Sequence, residues 1–263
     1  MSGITVSGLA IAPIKGTRLR AVDSVVLERS GVRENRRFYL IDGRDRMVNG
    51  KHLGQLTALV ADYTDAERWL KLTFPDGRLL EGEIRLGEAV RTRFYSDTTI
   101  GQLVEGPWSR ALSEYAGQAL RLVEASDGGA VDRGSSGAVS LISTASLSRL
   151  AQVGERDRID SRRFRMLIEV EGVEPHEEDR WVGRSVRIGE TMARFEGHVG
   201  RCLITSRDPE TGRIDIPTLD ILGCYREREE TTEPLAFGIY GAIVEPGTVR
   251  IGDRLLAGDN PRG

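Results

Sequence analysis

The chain has 263 residues, 39% hydrophobic and 29% charged, with a formal net charge of -3 at pH 7. That size and composition suit one large globular domain or two modest ones. The weakly acidic balance excludes the basic footprint of a nucleic-acid binder, and no apolar run approaches the ~20 residues of a membrane-spanning helix. The opening Met1-Ser2-Gly3-Ile4-Thr5 lacks the basic start and apolar stretch of a secretion signal. Two cysteines, Cys202 and Cys224, make no disulfide framework, so a reducing, cytoplasmic setting is expected. Lysine occurs only at 15, 51 and 71; nearly all positive charge is arginine, a bias of the kind a GC-rich genome produces, and each lysine stands out against it.

Residues 4–12 read as a strand by alternation and β-branching, followed by the turn Pro13-Ile14-Lys15-Gly16. Strands are expected at Val22 to Leu27, at Phe38 to Ile41 with an Asp42-Gly43 hairpin turn to Met47-Val48, at Leu56 to Asp62, Trp69 to Phe74 and Ile84 to Phe94. Trp108, Leu112 and Tyr115 share a helical face between Pro107 and Gly117. After a strand near Leu120 to Glu124, the Gly-, Ser- and Asp-rich stretch 126–137 reads as a loop. It divides the chain into candidate domains 1–125 and 126–263.

In the second half, a Ser or Thr near 143–144 can cap a helix carrying Leu147 and Leu150 inward. Strands are expected at Met166 to Val170, Trp181 to Gly189, Phe237 to Val244 and Thr248 to Ile251. Thr218 to Arg226 reads as a helix, and Asp208-Pro209-Glu210-Thr211-Gly212 as a tight turn. Cys202 falls where a strand is expected to begin. The sum is a mostly β, α+β protein: a β-barrel-like first domain and a β-barrel second domain with a few helices.

Cys202 follows Gly200-Arg201 directly. It is either a small buried hydrophobe or a soft metal-ligating thiolate in an arginine-lined anion site. Arg165 and Arg201 offer planar forks for phosphate. Lys15 lies in a turn whose backbone N–H groups can join its ammonium on an anion, and Tyr240 could bring a phenol to the site. Arg162, Arg163 and Arg165 could equally be a solvated edge-strand device, Lys15 a surface lysine and Tyr240 a core aromatic. His52, His176 and His198 are widely spread, no HExxH or CxxC pair exists, and neither a Walker A motif nor a GxGxxG in a βαβ setting is present.

An ordered set of motifs resembles a known family. In the second half these are Leu141-Ile142-Ser143-Thr144-Ala145-Ser146-Leu147, Arg163-Phe164-Arg165, Glu178-Asp179-Arg180-Trp181, Arg201-Cys202 with the 208–212 turn, Phe237-Gly238-Ile239-Tyr240 and Pro246 to Asp253. They resemble the MOSC domain, named for the C-terminal part of molybdenum-cofactor sulfurase. Pro13 to Gly16 and Arg36-Arg37-Phe38-Tyr39-Leu40-Ile41 resemble the β-barrel domain that precedes MOSC. The nearest kin in this resemblance are amidoxime-reducing components and hydroxylaminopurine reductases.

The resemblance implies a molybdenum cofactor of the molybdopterin type, with Cys202 as metal ligand. It implies cofactor contacts from Lys15, Gly16, Arg37, Arg165, Gly200, Arg201 and Tyr240, with Ser136 and Gly137 a partial match to a polar segment. It carries pyridoxal phosphate binding only as a family-wide association. The implied reaction is reduction of a small N-hydroxylated or N-oxide substrate by oxygen-atom transfer, Cys202 and Tyr240 being the catalytic pair. With no cysteine set for an iron–sulfur cluster before Gly263, electrons are expected from a separate donor protein. The alternative is a carrier of the cofactor, or of sulfur, without turnover. Gly16, Leu167 and Gly200 stand where the reductases carry polar side chains, so the site is expected to lack hydrogen-bond partners there.

Overall fold

The computed structural model describes residues 3–94, 97–126 and 134–257; most of the expected 126–137 loop, residues 127–133, lies outside the described residues, as do both chain ends. Strands dominate, with three α-helices among the described residues. The largest sheet has eight strands in the order Leu255–Ala257, Ser185–Ile188, Thr191–Gly200, Ala236–Glu245, Val139–Ser143, Ile168–Glu171, Thr5–Ile11 and Arg20–Ala21. A five-stranded sheet runs Met47–Val48, Phe38–Ile41, Arg121–Ala125, Asp97–Val104, Leu86–Phe94. Val60–Thr64, Trp69–Thr73 and Leu79–Glu83 form a three-stranded meander, and Ser24–Leu27 pairs with Gly247–Arg250.

Position 125/126 is therefore not a clean cut in space. Thr5–Ile11 pairs with Ile168–Glu171, and Ser24–Leu27 with Gly247–Arg250. Val6, Leu9, Ile11, Val25 and Leu27 sit in one core with Ile168, Ile188, Phe195 and Ile239. From Thr5–Ile11 in the second half's sheet the chain crosses at Ile14 into the core of Phe38, Leu56, Leu72, Trp108 and Leu122, and it returns to the second half's sheets at Arg20–Ala21 and Ser24–Leu27. That crossing brings the turn 14–17 to the junction of the two halves.

The helices follow their local chemistry. Helix α1, Trp108–Ala116, buries Trp108 and Leu112 and ends on Gly117 at φ 69, the left-handed stop glycine favours. Helix α2, Thr144–Val153, is capped by the Ser143 side chain, which accepts from the Ser146 N–H. Helix α3, Thr218–Arg226, packs Ile221 and Leu222 against Leu147, Leu150 and Phe237.

Four expectations need correction. Residues 54–58 form a 3-10 turn before the strand Val60–Thr64. Residues 177–181 are also a 3-10 turn, so the strand expected from Trp181 shrinks to Ser185–Ile188. Strands Leu79–Glu83, Asp97–Val104 and Leu255–Ala257 carry weak local signals and form by pairing with neighbours, as in Phe94 opposite Asp97 and Val90 opposite Gly101. Finally, Cys202 does not begin a strand. Pairing stops at Gly200 opposite Ala236, and Cys202 opens the 3-10 turn Leu203–Ser206, its carbonyl accepting from Thr205 N–H at 3.0 Å.

Candidate functional site

A cavity of about 440 Å³ opens where the halves meet, within the range of cofactor-sized pockets. The first half contributes Lys15, Gly16, Arg36, Asn49, Gly50, Lys51 and Phe94; the second includes Arg165, Met166, Gly200, Arg201, Cys202 and Tyr240. Five of the described lining residues are cationic and none is a carboxylate. Cys202 is exposed, so its thiol is not the buried hydrophobe of the alternative reading.

Each residue reaches the cavity by a local device. Lys15 sits in the turn closed by Thr17 N–H to the Ile14 carbonyl at 3.2 Å, and its own N–H donates to Phe38 O at 2.8 Å. Its ammonium lies 5.5 Å from the centre of the Phe94 ring. Gly16 is buried in the same turn at φ 98. Arg165 closes the 3-10 turn Ser161–Phe164 in a left-handed conformation, φ 56. Its Nη2 donates to the Thr17 carbonyl at 2.7 Å. Arg36 is left-handed too, φ 53, with its N–H on Ala12 O and its Nη2 on the Arg165 carbonyl at 2.8 Å. A non-glycine residue held there costs of order 1 kcal/mol or more, and such strain collects where function demands an orientation. Burial first, and the Arg36 charge second, pull the Arg165 guanidinium down to about 9. Two neighbouring guanidiniums in a partly dry cavity call for an anion.

Arg201 lines the cavity but is spent on the backbone. It donates to Phe237 O through Nε at 2.7 Å and to Phe164 O through Nη1 at 2.8 Å, and its guanidinium stacks 5.3 Å from the Phe164 ring centre. It fixes the chain on either side of the cavity and so aims Arg165. Tyr240 is half-buried in the strand Ala236–Glu245, opposite Ser140 on one side and Gly197 on the other.

Two expected residues are placed elsewhere. Arg37 turns away from the cavity to the buried Glu124, Nη2 at 2.6 Å, a carboxylate it shares with Arg68. Its neighbour Arg36 takes the place in the lining. Ser136 is exposed and outside the lining, whereas Gly137 is part of it. Nor is 162–165 a solvated edge strand: Arg163 is buried and grips Asp215 with both Nη atoms, at 2.7 and 2.6 Å, and Arg162 pairs with Asp160 and Glu210.

The positions expected to lack polar partners have structural explanations. Leu167 is buried in the sheet core, away from the cavity, and its N–H donates to Ser140 Oγ at 3.1 Å. At Gly200 a Cβ would meet Glu233 Oε2 at 2.5 Å, and that same oxygen accepts the Gly200 N–H at 2.9 Å. A carboxylate from the 231–234 loop thus fills the space a side chain would need.

Arg36, Asn49, Lys51, Phe94, Ser140 and Met166 are lining residues that sequence reasoning missed. For Lys51 a signal existed: two of the three lysines in the chain line this cavity.

Two family models account for most of the sequence: the MOSC N-terminal beta barrel domain over residues 3–105 and the MOSC domain over 128–256. The chain belongs to the MOSC domain family. Mouse mitochondrial amidoxime-reducing component 1 is 35% identical over 119 residues, 43% of this chain and 34% of that protein. Human mitochondrial amidoxime reducing component 2 is 39% identical over 100 residues, 34% and 28% of the respective chains. The MOSC chain thus spans about a third of the length of these curated relatives. Among solved structures, the YUAD protein from Bacillus subtilis aligns with 97% of this chain and 94% of its own at a TM-score of 0.45 and 12% identity. No helix of the described residues is long and apolar enough to cross a membrane.

Proposed function

We propose that this MOSC protein binds a molybdenum cofactor of the molybdopterin type in the junction cavity and reduces small N-hydroxylated compounds. The observation that carries the reading is an exposed thiol, Cys202, sharing one cavity with Arg36, Arg165 and Lys15. The donor set fits such a group. No cluster of three or more His, Cys, Asp or Glu exists among the described residues, so the protein would offer a single thiolate to a metal that arrives with its own organic sulfur ligands. The cation cluster suits the phosphate that such a cofactor carries.

When bound, the cofactor supplies two-electron oxygen-atom transfer at molybdenum. Cys202 Sγ would hold the metal. Arg165 and Arg36, whose backbones are already fixed, would bind the phosphate with little further ordering. Phe94, Phe164 and Met166 form the apolar part of the wall and keep water off the reacting atoms. The Tyr240 hydroxyl orients the N–OH group and can pass it a proton. The net change converts R–NHOH, two electrons and two protons to R–NH2 and water, with the electrons coming from a separate donor protein.

The reading is tested on protein purified from a cofactor-producing host. Molybdenum and pterin in the protein, with reduction of benzamidoxime by a reduced viologen, support it. Metal and pterin without turnover under any donor would move the assignment to a cofactor carrier, and neither metal nor pterin would end it.

A further inference from the structure

We propose that Lys51 is a substrate-facing cation that selects N-hydroxylated substrates bearing an anionic group, a carboxylate or a phosphate. The inference rests on the reductase reading above, and it concerns a residue that reading does not use.

Lys51 differs from the other cations in depth. Arg165 is held on a carbonyl at the inner wall and Arg201 is committed to Phe164 and Phe237. Lys51 lines the same cavity and is exposed, whereas Lys15, Arg36, Arg165 and Arg201 are half-buried, so of the five lining cations it is the one most open to solvent and to an incoming substrate.

Its position is fixed by the segment that carries the thiol. Arg207 Nη2 donates to the Lys51 carbonyl at 3.1 Å, and Nη1 of the same side chain donates to Gly212 O at 2.7 Å. Gly50 packs so closely on Ile204 that a Cβ would lie 2.6 Å from Ile204 Cδ1. Gly54 abuts Gly212 backbone to backbone. The 49–54 loop is therefore buttressed on the 202–212 segment, and the Lys51 stem leaves from a backbone whose relation to Cys202 is set. A cation anchored in that way acts on the partner's orientation as well as on encounter rate. An exposed ammonium gives selectivity on the order of fivefold, exerted on substrate binding.

The experiment compares benzamidoxime with its 4-carboxy and 4-phosphonooxy analogues. Binding is followed by calorimetry without an electron donor, on as-purified and cofactor-free protein, and KM and kcat are measured with a reduced viologen. The wild type should bind an anionic analogue about fivefold more tightly than benzamidoxime, with the gain falling away in high salt. Lys51→Gln should erase that preference through KM, leave kcat for benzamidoxime unchanged, and keep the wild-type pterin content. The carboxylate and phosphate arms tell which anion is preferred. Equal binding of neutral and anionic analogues by the wild type overturns the proposal, as does loss of pterin in Lys51→Gln, which would make Lys51 a cofactor ligand. Absence of pterin from the wild type strikes the reductase reading instead; the comparison of cofactor-free wild type with cofactor-free Lys51→Gln then decides the role of Lys51, an equal anion preference in the two overturning it.

Discussion

At the scale of a single residue, the proposed anion site rests on Arg165. Its folded pKa, pulled down to about 9 from 12.5, means that burying this cation costs stability at every pH below about 9 and is relieved only above it. At neutral pH the guanidinium is charged in both states and the full cost stands, so a bound anion should offset it. Inorganic phosphate should therefore raise the melting temperature of cofactor-free protein, by about 1.4 kcal/mol of stability at ten times its Kd. Arg165→Met should remove the response and lower the pterin content of as-purified protein; an undiminished response in a thermal melt would show that the anion binds elsewhere. The sequence pointed to Lys15, Arg165 and Cys202 because each is tied to a local motif. It could not separate Arg36 from Arg37. Adjacent residues in a turn diverge by a backbone angle, and here the left-handed φ of Arg36 sends one guanidinium to the cavity and the other to Glu124.

Among elements, the strand Thr191–Gly200 matters most, because it ends two residues before the thiol. Its register against Ala236–Glu245 shifts three times, the last between His198 and Gly200, and Glu233 then occupies the space above Gly200. Gly200→Ser should cost about 1–3 kcal/mol in urea denaturation through overpacking, and Glu233→Ala should restore most of it in the double variant. An additive double variant would contradict the packing account. A second element-level prediction concerns the contact of α3 with the 176–181 turn. His176 lies beside Tyr225 and Phe237, and its buried ring nitrogens have no hydrogen-bond partner among the described residues. Burial above all, with Arg226 and Arg149 adding to it, lowers its pKa to about 3 from 6.5. The unfolded chain thus binds the proton that the folded one refuses, and stability should fall as the pH drops from about 6.5 towards 3. His176→Asn, which tolerates the left-handed backbone there, should flatten that acid limb in pH-dependent melts; an unchanged limb would mean other groups cause it. The three helices were legible because caps and apolar spacing are local, as in Ser143 and Gly117. Asp97–Val104 was not, because its strand state comes from Leu86–Phe94 beside it.

The whole molecule makes the site by crossing its own halves. Strands Thr5–Ile11 and Ser24–Leu27 complete the second half's sheets, and the turn between them carries Lys15 into the cavity. A division at 125/126 followed composition along the chain, and composition does not register which sheet a strand joins. The same crossing sets Lys15 and Arg36 against Arg165 and Cys202 across a cavity of about 440 Å³. Cofactor retention should therefore respond to Lys15 and Arg36 of the first half as well as to Arg165 of the second.

The central claim is that the Cys202 sulfur is bonded to molybdenum, and sulfur coordination measured by molybdenum X-ray absorption on wild type and Cys202→Ala addresses it most directly. The account predicts a metal-loaded wild type with one more sulfur neighbour than the variant, whose fold and pterin content persist while turnover disappears. Identical sulfur coordination in the two proteins, or wild-type turnover by Cys202→Ala, would contradict it.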